Sequence, residues 1–123
     1  MKDFSEITQK IIASGIEINY LPTEYIFRLG QKAEFVFYMM SGTILLTYSD
    51  NQSHTLSNKQ LFLGLHEAFD SLRHQFSAQI MEPSKFLVFD KKYFLMLLQE
   101  FDVDQTFFNQ QIQDFELYQQ LIH

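Results

Sequence analysis

The sequence has no cysteine and no tryptophan, and only four glycines and two prolines in 123 residues. Without cysteine the chain forms no disulfide, no thiolate metal site and no iron–sulfur cluster, and it has no cysteine nucleophile. It also lacks a glycine-rich phosphate-binding loop, a nucleophile–base pair at motif spacing and paired carboxylates in a catalytic context. The sequence therefore predicts a protein that is not an enzyme.

Positive charge is scarce as well. Nine Lys and Arg face fifteen Asp and Glu, a net charge of 9 − 15 = −6. A surface of this sign repels phosphate backbones, so we expect no direct binding of nucleic acid by this chain. No apolar run approaches the roughly 20 residues that span a bilayer, and the N-terminus lacks the apolar centre of a signal peptide. We expect no membrane partner, and the absence of cysteine fits a cytoplasmic protein.

The most informative stretch is FVFYMMSGTILL, residues 35–46. Two apolar runs rich in aromatic and β-branched residues flank Ser41-Gly42, which predicts two buried strands and a bend that glycine makes easily. Similar turn residues between apolar runs predict eight short strands in one domain covering residues 1–123. They are residues 16–20, 25–29, 35–40, 43–49, 53–57, 60–63, 76–81 and 85–89. So many short strands indicate a mainly β fold, a small barrel or roll.

Helices are predicted at both ends of this β region. An N-terminal helix contains Phe4, Ile7 and Ile11, and Asp90 caps a helix whose buried residues are predicted to be Tyr93, Phe94, Met96 and Leu97. A long helix follows over about residues 104–122. Its a/d stripe consists of Phe108, Ile112, Phe115 and Ile122. We expect this stripe to form a homodimer, while packing on the chain's own roll remains the alternative.

Three segments resemble the effector domain of cyclic-nucleotide-binding, CRP/FNR-type regulators. They are Tyr25-Ile26-Phe27 with Gly30, then Phe37-Tyr38-Met39-Met40-Ser41-Gly42, and finally Ser77-Ala78 with Glu82-Pro83-Ser84, Phe86–Asp90 and Phe94. The resemblance covers residues 16–121. It implies a double-stranded β-helix, or jelly roll, whose C-terminal helix pairs with a twin. Family members usually continue into a helix-turn-helix domain, and we expect none in this chain, whether it is a fragment or a stand-alone protein.

The chain departs from this family where cyclic nucleotides are bound. Binders carry a Gly-Glu pair for the ribose and an Arg followed by Ser or Thr for the cyclic phosphate. Here Gly64 is followed by Leu65, and the register assigns the Arg place to His74 and the Ser or Thr place to Gln75. Arg73 is one residue off, which in a strand turns a side chain to the other face. We therefore expect no cyclic nucleotide to bind.

The roll's mouth nevertheless holds candidate ligand-binding residues. They are Gly64, Glu67, Arg73, His74 and Ser77. An anionic or hydroxylated ligand there would use the two charged side chains and the backbone N–H groups near Gly64. His66 and His74 do not form a cupin metal pattern, so no metal and no cofactor is predicted, although four histidines leave a histidine-ligated haem open.

Three functional hypotheses follow. The first is a regulatory sensor module that binds a small effector or a protein partner. The second is an interaction or dimerisation protein whose roll is filled by its fourteen phenylalanines. The third, a cupin-type enzyme, has the least support. An open polar cavity beside residues 64–77 favours the first hypothesis, whereas a roll plugged by Phe69, Leu72 or Phe76 favours the second.

Overall fold

A computed structural model describes residues 4–57, 60–70 and 72–103 of the chain. These residues form six strands and three helices, all within one antiparallel sheet system and its flanking helices. In chain order they are α1 (Phe4–Ala13), β1 (Ile16–Tyr20), β2 (Tyr25–Phe27), β3 (Phe35–Tyr48), β4 (Ser53–Ser57), β5 (Leu61–Leu63), α2 (Leu65–Asp70), β6 (Phe76–Asp90) and α3 (Lys91–Glu100). The predicted mainly β, jelly-roll-like class is confirmed.

The fold is built on one long antiparallel ribbon made of β3 and β6. Phe35 pairs with Asp90 at one end and Tyr48 with Phe76 at the other. β1 and β2 add to β6, whereas β4 and β5 add to β3. The shorter strands thus extend both halves of the ribbon, and its bending encloses the core.

The prediction of eight separate strands is wrong at two places. Residues 35–40 and 43–49 form the single strand β3, and residues 76–81 and 85–89 form the single strand β6. Where the sequence predicts breaks, the structure has shifts in the pairing register of β3 with β6, which lie between Met39 and Ile44. Both strands bend together and keep their pairing, so neither ends at its bend.

Gly42 and Ser84 meet at this bend. Gly42 has φ +115°, and a Cβ there would lie 1.9 Å from the Ser84 Oγ. That hydroxyl accepts the Thr43 N–H at 3.2 Å and donates to the Glu82 carbonyl at 2.7 Å. Glycine is required because both the backbone conformation and the close approach exclude a side chain.

Two hydrophobic clusters lie on opposite faces of the ribbon. Phe37 and Met39 of β3 face the inside of the roll together with Phe86 of β6. Val36 and Phe89 face outward, where they pack against the helices. Because both faces are buried at this end, the strands are continuous apolar runs rather than alternating ones. Phe35, predicted to be core, is instead 42% exposed.

Helix α3 begins where the sequence predicts it. Asp90 is its N-cap, and the Asp90 Oδ1 accepts the Tyr93 N–H at 3.2 Å. Its buried stripe is Phe94, Leu97 and Leu98. Tyr93 and Met96 are exposed, so the prediction that they are buried is wrong. No described helix is long and apolar enough to cross a membrane.

The predicted helix over residues 104–122, with Phe108, Ile112, Phe115 and Ile122, lies outside the described residues. Dimerisation through that stripe therefore stays a prediction.

Candidate functional site

The candidate site is built around helix α2 and the turn before it. Gly64 joins β5 to α2 with φ +80°, and a Cβ there would lie 3.2 Å from the His74 Cε1 and 3.3 Å from the Phe35 carbonyl oxygen. Its backbone is buried under these groups. Gly64 therefore shapes the site by letting an imidazole ring approach the chain closely.

His74 points into the roll and is 2% exposed. Its ring stacks on the Phe27 ring, with centroids 3.8 Å apart and planes 7° apart. The chain on either side is fixed, because the His74 N–H donates to the Gln31 carbonyl and the His74 carbonyl accepts the Gly30 N–H. The imidazole is therefore held between an aromatic ring and the Gly64 backbone.

Glu67 lies beside His74 in the same buried region. The Glu67 Oε1 is 3.9 Å from the His74 Nδ1, too far for a hydrogen bond. Burial lowers the pKa of His74 to about 4 and raises the pKa of Glu67. Backbone N–H groups of Glu67 and Gln75 act against the rise of the Glu67 pKa, as does His66. At neutral pH the imidazole is therefore uncharged, and the inside of the roll gains no cation from it.

Tyr48 adds a third titratable group to the buried region. Burial, together with the Glu67 charge, raises the pKa of Tyr48 to about 12. Its ring packs against Phe76, with centroids 5.6 Å apart, and Phe76 in turn packs against Phe27 at 5.3 Å. A developing negative charge is thus penalised here by desolvation and by an existing carboxylate.

A cavity of about 250 Å³ lies at the roll's mouth, and His74 is one of its lining residues. Its walls are apolar side chains from four strands, with His74 as the buried polar group. The wall residues are Ile18, Tyr20, Ile26, Phe37 and Val88. Gln31, Lys32, Glu34 and Phe35, all exposed, form the mouth. We name this space the roll cavity. These wall residues were not among the predicted site residues, although the alternation of Ile18 and Tyr20 along β1 marks one inward face.

His74 is the polar side chain of the roll cavity that suggests a ligand, because its Nδ1 lacks a partner among the described residues. This atom is buried and has no hydrogen-bond partner in the part of the chain that the structure describes. Buried polar atoms nearly always have a partner, so a group that bonds to this nitrogen would remove an energetic cost.

The other predicted ligand residues lie elsewhere. Arg73 is exposed and points out of the roll, where its Nη1 donates to the Gly30 carbonyl at 3.0 Å. The Ser77 Oγ accepts the Leu29 N–H at 2.8 Å, so its hydroxyl already serves the backbone. The structure therefore brings together Gly64, Glu67 and His74, and separates Arg73 and Ser77 from them.

Of the three residues predicted to fill the roll, only one lies inside it. Phe76 is fully buried and fills part of the roll, whereas Leu72 is 41% exposed and Phe69 packs on the outer cluster. The roll is partly filled and partly open. Among the described residues, no group of three or more His, Asp or Glu is placed to hold a metal ion.

Comparison with protein families matches the cyclic nucleotide-binding domain over residues 17–101. This chain belongs to the cyclic nucleotide-binding domain family. The match spans the strands, α2 and α3, so it includes the whole site. The family is regulatory rather than enzymatic. No curated protein sequence matches the chain.

Solved structures show the same fold for this cyclic nucleotide-binding domain. The catabolite activator protein of Thermus thermophilus matches with a TM-score of 0.71 at 18% identity, over 94% of this chain and 58% of that one. The sensor domain of the transcriptional regulator DNR from Pseudomonas aeruginosa has a TM-score of 0.63 at 24% identity, over 77% of this chain and 70% of that one. The resemblance to CRP/FNR-type effector domains is confirmed.

A third similar structure belongs to the c-di-GMP responsive global regulator CLP of Xanthomonas campestris. Its TM-score is 0.64 at 16% identity, and the match covers 77% of this chain and 48% of that one. The chain thus spans about half the length of this regulator.

Proposed function

We propose that this domain is a regulatory sensor module whose roll cavity binds a small, neutral, largely apolar effector rather than a cyclic nucleotide. The observation that carries the proposal is His74, which stands where the family resemblance puts the phosphate-binding arginine. A buried phosphodiester needs a fixed cation and oriented donors. A neutral imidazole 3.9 Å from a carboxylate supplies no cation and at most one N–H donor.

The shape of the roll cavity supports the same class of ligand. Sites for drug-sized ligands occupy roughly 300–1,000 Å³, and the roll cavity, at about 250 Å³, lies below that range. Its apolar walls favour a compact ring or short chain, because burial of such a group is favourable without any paired charge. The orphan His74 Nδ1 favours a ligand that carries one hydrogen-bonding group.

The test uses phenol, benzene and cyclic AMP as probes of the full chain. We expect phenol to raise the melting temperature saturably, because a ligand of the folded state stabilises it. Benzene should bind more weakly because it lacks the hydroxyl, and cyclic AMP should have no effect.

His74→Phe is the matched variant, since it keeps an aromatic ring against Phe27 and removes the nitrogen. It should abolish the advantage of phenol over benzene. Saturable binding of cyclic AMP would show that the phosphate place is functional and that the proposal is wrong. Binding of none of the three probes would favour the filled roll of an interaction protein instead.

A further inference from the structure

A second concavity lies on the outside of the roll. It has a volume of about 550 Å³ and is lined by three chain segments, residues 32–35 at the start of β3, 72–73 after α2 and 90–92 at the start of α3. We name it the outer cleft. Its volume falls within the range of small-molecule sites.

Hydrogen bonds hold the three segments together. Lys32 and Arg73 form an isolated antiparallel bridge, and the Arg73 Nη1 donates to the Gly30 carbonyl at 3.0 Å. The Lys91 N–H donates to the Glu34 carbonyl at 2.9 Å. The backbone of the outer cleft is therefore a fixed part of the fold and needs little reorganisation before binding.

Positive charge is concentrated in the outer cleft. Four of the chain's nine lysine and arginine residues line it. These are Lys32, Arg73, Lys91 and Lys92. In residues 4–57, 60–70 and 72–103 none of the four forms a salt bridge; the bridges of lysines there belong to Lys10 and Lys85.

Two carboxylates also line the outer cleft and lower its net charge. They are Glu34 and Asp90, so the formal charge of its walls is 4 − 2 = +2. Asp90 is engaged, because its Oδ1 accepts the Tyr93 N–H. A cleft of charge +2 on a chain of charge −6 focuses a positive potential that attracts anions.

Apolar side chains lie beside these cations. Phe35 is 42% exposed and Leu72 41% exposed, and both line the outer cleft. An exposed ring next to cations that form no salt bridge with the described residues suits a ligand that has an anionic group and an apolar or aromatic group.

We infer that the outer cleft is a second binding site, for small phosphate esters that carry an apolar or aromatic group. This inference goes beyond the proposed function and does not depend on it. The roll cavity lacks a buried cation, whereas the outer cleft supplies several cations and donors, which phosphate oxygens need.

The experiment compares phenyl phosphate with inorganic phosphate by isothermal titration calorimetry of the full chain at low ionic strength. Phenyl phosphate should bind saturably and several-fold more tightly than inorganic phosphate, because only the ester contacts Phe35 and Leu72. Added salt should weaken both. Absence of saturable binding of either probe, or equal affinity for the two, contradicts the inference.

Two triple variants of equal net charge separate a site from a general charge effect. Lys32→Gln with Lys91→Gln and Lys92→Gln should weaken phenyl phosphate binding by about tenfold or more. Lys10→Gln with Arg28→Gln and Lys85→Gln removes the same charge elsewhere and should leave the affinity nearly unchanged. Equal losses in both variants would show that the outer cleft is not a site.

Two further variants test the aromatic contact and the independence of the outer cleft from the roll cavity. Phe35→Leu should reduce the advantage of phenyl phosphate over inorganic phosphate without changing the affinity for inorganic phosphate. His74→Phe should leave phenyl phosphate binding intact, so failure of the roll cavity and failure of the outer cleft are distinguishable.

Discussion

The roll cavity and the outer cleft share a border but differ in chemistry. Lys32, Glu34 and Phe35 line both. The roll cavity has apolar walls and one buried, neutral imidazole, whereas four cations line the outer cleft. The two neighbours His74 and Arg73 show the cause, since one points in and is 2% exposed while the other points out. Consecutive residues of an extended segment face opposite ways, so one position decides whether charge is buried or exposed.

The largest expected effect comes from disturbing the bend of the ribbon on which both concavities are built. Gly42→Ala would place a Cβ 1.9 Å from the Ser84 Oγ and 2.6 Å from the Ser84 Cα. We expect the free energy of unfolding to fall by more than about 3 kcal/mol, because overpacking adds to the strain of a positive φ. Urea unfolding followed by circular dichroism measures this.

Gly30→Ala is the matched control for Gly42→Ala. Gly30 also has a positive φ, +85°, but a Cβ there meets nothing within 4 Å. It should cost only about 1 kcal/mol, the price of the conformation alone. Similar losses for the two variants would show that the contact with Ser84 does not matter.

The second prediction concerns pH and the roll cavity. Folding lowers the pKa of His74 to about 4, so between pH 6.5 and 4 the unfolded chain binds a proton that the folded chain does not. Above pH 6.5 the shifted pKa of His74 leaves the free energy of unfolding unchanged. As the pH falls to 4, it lowers the free energy of unfolding by up to about 3 kcal/mol. Urea titrations at pH 7.5, 6 and 5 should show a steeper acid loss for the native chain than for His74→Phe.

Glu67 acts in the opposite direction in that experiment. Its pKa is raised by burial, so its contribution improves stability as the pH falls. Because Glu67 is present in both proteins, the difference between them reports His74. Parallel pH profiles would mean that the imidazole is not desolvated in the folded state.

A smaller effect is expected at Asp90, which lines the outer cleft and caps α3. Asp90→Ala should destabilise the fold by about 1 kcal/mol, since an N-cap is lost, and should tighten phenyl phosphate binding because a negative charge leaves the outer cleft. Asp90→Asn keeps a capping side chain, so it should tighten binding with little loss of stability. Weaker binding in either variant would argue against an electrostatic site.

The smallest effect is expected outside both concavities. The Lys85 Nζ lies 3.9 Å from the Glu17 Oε1, and both side chains are about half exposed. Lys85→Gln should change the unfolding free energy by less than about 0.5 kcal/mol, because an exposed ion pair is screened by solvent. A loss above about 1 kcal/mol, measured by urea unfolding, would show that this surface is less solvated than its exposure indicates.

Much of the fold follows from local patterns. The apolar runs of residues 35–40 and 85–89, the Asp90 cap and the turn at Asp50-Asn51-Gln52 are each encoded within a few residues. The continuity of β3 and β6 is not encoded locally, because it depends on two bends that meet across the sheet. Likewise, helical spacing alone does not decide whether Tyr93 and Met96 or Leu97 and Leu98 face the core.

The site is less predictable than the fold. The register of the family resemblance predicts that His74 takes the place of a phosphate-binding arginine, and this assignment stays a prediction. The outer cleft has no sequence signature, since Lys32, Arg73 and Lys91 come from distant segments and meet only after folding. The Phe27 ring that stacks on His74 comes from a strand 47 residues earlier in the chain (74 − 27 = 47).

Lys32, Glu34 and Phe35 form a partition between the two spaces, because all three line both of them. An occupant of either space that changes the position of Phe35 alters the free energy of filling the other. Thermodynamics requires the two influences to be equal in size, so each ligand would modify the apparent dissociation constant of its neighbour by one common factor.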